Sequence, residues 1–310
     1  MTYRTIHDTH VHHVWDRSIE PVETAAPGDA LTIIVQDASA GQIVPGTKAE
    51  VFYDYDGKRV NPVTGPIFVD GAEPGDTLAV RLETYAPSGW GWTANIPGFG
   101  LLAEQFPDAA LHHWTYDPSG KEPLLFGKHA QVPLAPFAGT IGVAPAEPGP
   151  HGIIPPRRTG GNMDIRDLVA GSTLFLPVEV DGALFSIGDT HAAQGDGEVC
   201  GTAVESPMEV SLTLDLVKGE QMPFPRITAP PRTHENDAVP IDITTGIGPD
   251  LMQGARDAVS GMIDHLCREQ GISAMDAYML CSVAGDLRIS QVVDAPNWTV
   301  SFHMPRGIFG

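Results

Sequence analysis

The chain has 310 residues, with 39 acidic and 18 basic side chains and a formal net charge of −21. That balance excludes a nucleic-acid partner, because phosphate backbones are met by clustered lysine and arginine, and it disfavours an anionic membrane surface. The 34 glycines and 28 prolines make one residue in five, against roughly 12% in average proteins, and favour turns and short strands over long helices. With 42% hydrophobic residues the chain is globular and able to bury a large core. The expectation is a single domain over 1–310, or two intimate β-rich halves meeting near 140–160. No apolar run approaches the ~18 residues of a membrane span. The N-terminus, Met1 to Thr5, lacks the apolar core of a signal peptide. Cys200, Cys267 and Cys281 are odd in number and scattered, so they read as reduced thiols of a cytoplasmic protein.

His7, His10, His12 and His13 crowd the N-terminus, where His10 and His12 alternate as on one strand face. They form either an exposed polar edge or a set of metal ligands, and Val11, Val14 and Trp15 beside them predict packing against the body. Pro27-Gly28-Asp29 before Leu31–Val35 and Pro74-Gly75-Asp76 before Leu78–Leu82 are each a turn followed by a β-rich run, a possible echo of internal duplication. From Ser88 to Phe106 a Gly-rich stretch carries Trp90, Trp92, Phe99 and Phe106, which could line a pocket for a small apolar group or cap a sheet. Asn162 and Asp164 are two apart, the spacing that puts both oxygens on one side of an extended segment.

Ser172–Val180 and Ala183–Ile187 are β-rich runs separated by Asp181-Gly182, a strong two-residue hairpin signal. The next stretch, Gly188 to Glu205, holds Asp189, His191, Asp196, Glu198, Cys200 and Glu205 with no lysine or arginine. Negative charge with no internal counter-charge calls for water or a cation, and loops leaving a rigid sheet commonly carry function. Val210, Leu212, Leu214 and Leu216 alternate with polar residues as a half-buried strand. The segment from Gly219 to Asp242 reads as irregular. Leu251, Ala255, Val259, Met262 and Leu266 then recur at helical spacing, with Gly271 as a C-cap. Ser273 and Asp276 open a second helix, whose Met275 and Met279 read as core. Leu287 to Val293 is a last strand. The fold class expected is mainly β with a late helical pair (α+β).

The motifs Gly160-Gly161-Asn162-Met163-Asp164, Gly171-Ser172-Thr173-Leu174-Phe175-Leu176-Pro177-Val178 and Gly188-Asp189-Thr190-His191-Ala192-Ala193-Gln194-Gly195-Asp196-Gly197-Glu198 resemble the acetamidase/formamidase family. The likeness runs back through Gly142-Val143-Ala144-Pro145, Pro97-Gly98-Phe99-Gly100 and Gly71-Ala72-Glu73-Pro74-Gly75-Asp76, and forward to Glu205. It implies hydrolysis of a short aliphatic amide to a carboxylic acid and ammonia. It also implies a mainly β fold of sandwich or barrel type, a metal-containing active site and a homo-oligomer.

Amide hydrolysis at neutral pH needs an activated nucleophile, a polarised carbonyl and a proton for the departing nitrogen. Bound zinc can supply the first two, and a carboxylate can shuttle the proton. On this reading Asp189, His191 and Glu205 bind the metal, helped by Asn162 or Asp164, and Glu198 does the acid–base work. A mixed nitrogen and oxygen set suits zinc; an oxygen-richer set would take calcium or magnesium. Gly195 and Gly197 would let the backbone turn sharply toward an oxyanion. Two rivals are a cysteine-nucleophile amidase using Cys200 and a non-catalytic, calcium-stabilised β-rich binding module.

Overall fold

Apolar alternation builds the larger of two sheets. In the computed structural model, which describes residues 3–231 and 239–309, the strands Ala30–Val35, Met208–Val217 and Thr77–Pro87 lie side by side. Their registers pair Ile33 with Val210, Leu31 with Leu212, and Leu82 with Leu212, and all these side chains are inaccessible to solvent. Each such burial contributes about 1.5–3 kcal/mol. The nine strands run in the order Arg4–Ile6, Ala30–Val35, Met208–Val217, Thr77–Pro87, Thr173–Pro177, Arg226–Ala229, Ile241–Gly248, Trp298–Pro305 and Asp286–Gln291.

A six-stranded sheet packs against this one. It runs Gly160–Asn162, Phe137–Gly142, Phe185–His191, Val63–Val69 and Val11–His12, with Glu23–Ala25 also on Val63–Val69. Its Ile67, Phe137, Ile141, Phe185 and Ile187 join the apolar face of the larger sheet in one buried cluster that extends from Ile6 to Ile247. Both sheets draw strands from either side of residue 150. The fold is therefore mostly β with two helices. The sheets do not close on themselves, so the architecture is an open sandwich and the barrel alternative is wrong: Arg4–Ile6 and Asp286–Gln291 remain unjoined at opposite ends.

The late helices form as their caps dictate. Leu251–Gln270 (α1) opens at Asp250, whose side chain accepts from Gln253 N, and closes at Gly271 with a left-handed φ of 64°. Ala274–Ala284 (α2) opens at Ser273. Ala258, Met262 and Leu266 of α1 pack on Val300, Phe302 and Met304 of the sheet. On α2 the buried face is Ala277 and Cys281, so Met275 and Met279 are not core; they are 67% and 55% exposed.

Two other expectations change. Asp181-Gly182 does not make a hairpin: Thr173–Pro177 belongs to the larger sheet and Phe185–His191 to the smaller. Ala183 and Leu184, both with φ of 57°, turn the chain across the sandwich. The Gly219–Asp242 segment contains the strand Arg226–Ala229, while its residues 232–238, like residues 1–2, lie outside those described. The two Pro-Gly-Asp turns do share one hydrogen-bond pattern. Asp29 Oδ2 accepts from Ala26 N and Asp76 Oδ2 from Glu73 N, and each turn leads into a strand flanking Met208–Val217.

The N-terminal histidines assemble no ligand set. His12 Nδ1 donates to Val14 O at 2.7 Å and its Nε2 accepts from Ser186 Oγ at 2.8 Å, while His13 is engaged by Val60 O. Burial pushes the His12 pKa down to about 4, despite the Val14 carbonyl. The folded state therefore holds His12 neutral, whereas the unfolded chain takes up a proton below about pH 6.5. Stability from this group is complete above that pH and falls as the pH drops toward 4, by roughly 3 kcal/mol. Urea unfolding of the wild type and His12→Gln at pH 7.5 and pH 4 should show the wild type losing about that much more than the variant; equal losses would contradict the buried neutral state.

Candidate active site

The site lies at the end of the central strand of the smaller sheet. All seven residues of Phe185–His191 are buried, and Asp189 and His191 are its last two acid–base side chains. A strip of chain at 202–206 runs beside it: Ala192 N donates to Val204 O and Val204 N to Ala193 O. Trp92 and Glu205 exchange both backbone hydrogen bonds at 2.9 Å, which holds the glutamate next to the imidazole. His191 Nε2 is 3.2 Å from Asp189 Oδ1 and 3.1 Å from Glu205 Oε2.

Asp164 comes from the turn after Gly160–Asn162. Its main-chain N–H donates to Gly139 O, and Gly139 faces Asp189 across the neighbouring strands. A Cβ at Gly139 would lie 2.5 Å from Asp164 Oδ1 and 2.6 Å from His191 Cε1, so the approach of these two groups depends on that glycine. Oxygen or nitrogen atoms of Asp164, His191 and Glu198 all lie within 4.8 Å of one another, as do those of Asp189, His191 and Glu205. Every residue in both groups is buried. Asn61, Asp164, Asp189 and Glu198 all have positive φ, between 44° and 51°. Asparagine and aspartate tolerate that region; for Glu198 it is strained, a feature that concentrates at functional sites.

Apart from Asn162, the supporting contacts come from residues the sequence did not single out. Asn61 Nδ2 donates to Asp189 Oδ2 at 3.0 Å and Thr140 Oγ1 to the same oxygen at 3.1 Å. Asn162 Oδ1 accepts from both of these donors, and its Nδ2 donates to Asp294 Oδ2 at 2.7 Å. Asn162 thus lies beside the expected ligands, its oxygen accepting from the donors to Asp189 and its amide nitrogen held by Asp294. Asp294 also accepts from Gln291 Nε2. Asn61, Thr140 and the Gln291–Asp294 pair stand far apart in the chain with no motif among them.

Burial and mutual repulsion set the protonation states. Burial disfavours a charged His191, but Glu205 and Asp189 overcome it and hold its pKa well above the usual value. Burial acts against ionised Asp189 too, yet His191 and the hydrogen bonds to it keep that carboxyl low. Burial raises Glu205 to about 7 against the pull of His191. Glu198, Asp164 and Asp294 are all raised well above the carboxylate range by burial, and next by one another's charge.

Both carboxyl oxygens of Asp164, and Glu205 Oε2, are buried without a well-aligned hydrogen-bond donor. Oxygen atoms left this way beside an imidazole nitrogen fit a divalent cation. A cavity of about 230 Å³ opens onto Asp189, Glu198, Glu205 and Asp294, and no lysine or arginine lines it. Its apolar wall includes Ile96, Phe99, Ile154 and Trp92. Of the four aromatics considered, Trp92 and Phe99 reach it. Trp90 stacks on His113, and Phe106 is 57% exposed. Phe99 lies over Gly201, where a Cβ would come within 2.4 Å of its ring.

The remaining acidic-stretch residues point elsewhere. Asp196 is paired with Arg166 at 3.3 Å, so counter-charge reaches this stretch from other segments. Gly197 N–H donates to Ser290 O and is not available to an oxyanion; Gly195 and Cys200 line a larger apolar groove beside the loop, and the Cys200 thiol donates to Thr202 O.

The layout is a small cavity floored by buried carboxyl groups beside a buried imidazole. The sequence model of the Acetamidase/Formamidase family matches residues 2–151 and 150–310, and the chain belongs to that family. It is 32% identical over 270 residues to an acetamidase of Mycolicibacterium smegmatis, covering 67% of this chain and 66% of that one. It is 27% identical to a formamidase of Methylophilus methylotrophus, over 97% of this chain and 90% of the relative. The crystal structure of an acetamidase from Bacillus halodurans superposes with a TM-score of 0.88 at 30% identity, over 99% of this chain and 98% of that one. The relatives so named are amide hydrolases.

The crowding at Gly139 is directly testable. Gly139→Ala should cost about 1–3 kcal/mol through overpacking, read as a lowered urea midpoint; an unchanged midpoint would show that the cluster has room to spare.

Proposed function

We propose that this chain, acting as a single catalytic unit, hydrolyses short neutral amides to a carboxylate and ammonia, with zinc held by Asp189, His191 and Glu205. The observation that carries this reading is the buried carboxylate–imidazole cluster with donorless oxygens at the floor of a small, largely apolar cavity. The names of the relatives point to the same reaction. One imidazole nitrogen with two carboxylates suits zinc; calcium or magnesium would draw Asp164 into an oxygen-richer set.

Bound zinc supplies a nucleophile from water near neutral pH and polarises the amide carbonyl. The chain's own residues do the rest. Asn61 and Thr140 hold Asp189 Oδ2 and leave Oδ1 toward His191. Ala203 N–H holds Glu205 Oε1 and leaves Oε2 toward His191 Nε2. Burial and then Asp164 raise the Glu198 pKa and so favour its protonated form, and in this reading Glu198 gives that proton to the departing nitrogen. Ile96, Phe99 and Ile154 receive a short acyl chain and exclude water. The carboxylate product finds no cationic side chain on the cavity wall and is expelled by the acidic floor.

We further propose that the enzyme works as a homo-oligomer in a reducing, cytoplasmic compartment, a reading supported by three cysteines that form no disulfide. Met275, Tyr278, Met279 and Val283 expose one apolar face of α2 of the kind a second copy covers.

Two substitutions separate the roles. His191→Ala should remove both bound zinc and turnover. Glu198→Gln should retain zinc by elemental analysis and lower kcat by about 10²–10⁴-fold. A His191→Ala protein with full metal and full activity would contradict the ligand assignment; loss of zinc from Glu198→Gln would contradict the division of labour.

A further inference from the structure

Gln194 directly follows the strand end that carries Asp189 and His191, and its amide ties together the two segments of the site. Its Nε2 donates to the main-chain carbonyl of Asp164 at 2.9 Å, and its Oε1 lies 2.9 Å from His191 Nδ1. The first contact determines the second. A carbonyl oxygen can only accept, so the amide nitrogen must face Asp164 and the amide oxygen must face the imidazole. That oxygen also can only accept, so Nδ1 must carry hydrogen, and Nε2 is the nitrogen left to give up its proton when a cation binds. The other nitrogen, Nε2, is directed at Asp189 Oδ1 and Glu205 Oε2.

Both ends of this link are anchored. Asp164 N–H is held by Gly139 O, and the backbone just before Gln194 is held by the Ala192–Val204 and Val204–Ala193 hydrogen bonds. Phe137 closes on the imidazole edge-to-face, with ring centroids 5.0 Å apart. The ring is thus confined by an apolar neighbour and pointed by a polar one.

We infer that Gln194 is a positioning residue: through the Asp164 carbonyl it fixes His191 as the Nδ1–H tautomer and presents Nε2 as the ring atom offered to the cation. The inference rests on the zinc reading above. Outer partners of this kind set both the orientation and the basicity of a ligating imidazole. Gln194 was quoted above only as part of a motif, because its function depends on a carbonyl thirty residues upstream.

The test compares Gln194→Met, which keeps the length but not the acceptor, with Gln194→Glu, which keeps an acceptor for Nδ1–H. Zinc affinity of the metal-free proteins is measured at pH 7.5 by competition with a chromophoric chelator, and thermal unfolding of the same metal-free proteins reports on folding. The expected result is a metal-free melting temperature close to wild type for both. Gln194→Met should bind zinc about 10–100-fold more weakly, and Gln194→Glu should stay nearer the wild type than the methionine variant does. Wild-type affinity in Gln194→Met would overturn the inference while leaving the zinc reading intact. Equal weakening in both variants would assign the effect to the lost Asp164 contact and overturn the tautomer role. A wild-type protein that takes up no zinc would remove the metal reading and this inference with it.

Discussion

Five carboxyl groups, Asp164, Asp189, Glu198, Glu205 and Asp294, are buried around the single imidazole of His191. In a dry interior that many like charges cannot all ionise; they must share protons, pair with a cation, or do both. Most of the surrounding architecture follows from this. Asn61, Thr140, Asn162 and Gln291 supply hydrogen-bond donors to Asp189 and Asp294. Asp164 has no such donor, and burial and then Asp294 raise its pKa well above the carboxylate range. A floor of this kind repels anions, which suits a neutral substrate and an anionic product.

The sandwich makes such a cluster tolerable. A core running from Ile6 to Ile247 fixes Phe137–Gly142 and Phe185–His191 side by side, and the site hangs on the ends of those strands. Unusual backbone is concentrated there: among the described residues, four of the seven non-glycine residues with positive φ are Asn61, Asp164, Asp189 and Glu198. The loop bearing Glu198 is clipped from outside by Asp196 to Arg166 and by Gly197 to Ser290, and from above by Leu101 N to Val199 O. Loop, strand and aromatic wall therefore form one rigid surround, which is what oriented acid–base groups require.

Much of the frame was legible in the sequence because its signals are local. Alternation gave Met208–Val217, and Asp250, Gly271 and Ser273 marked the helix ends. Composition and spacing singled out Asp189, His191, Glu198 and Glu205, since an acidic stretch without lysine is conspicuous on its own. What stayed hidden depends on distance along the chain. Asp294 meets Asn162 across 132 residues, and nothing near either one announces the other. The Asp181-Gly182 turn misled because a tight turn does not specify which sheet the next strand will join. The methionines of α2 misled because a helix apolar on both sides hides from the sequence which face meets the core.

The central claim is that turnover depends on a cation held by the Asp189–His191–Glu205 group. Its most direct test is ammonia release from formamide, acetamide and propionamide by the protein as purified, after chelator treatment, and after zinc is returned. The account predicts release that is lost with the chelator and regained with zinc. Full release from chelated protein, shown by elemental analysis to hold no metal, would contradict it.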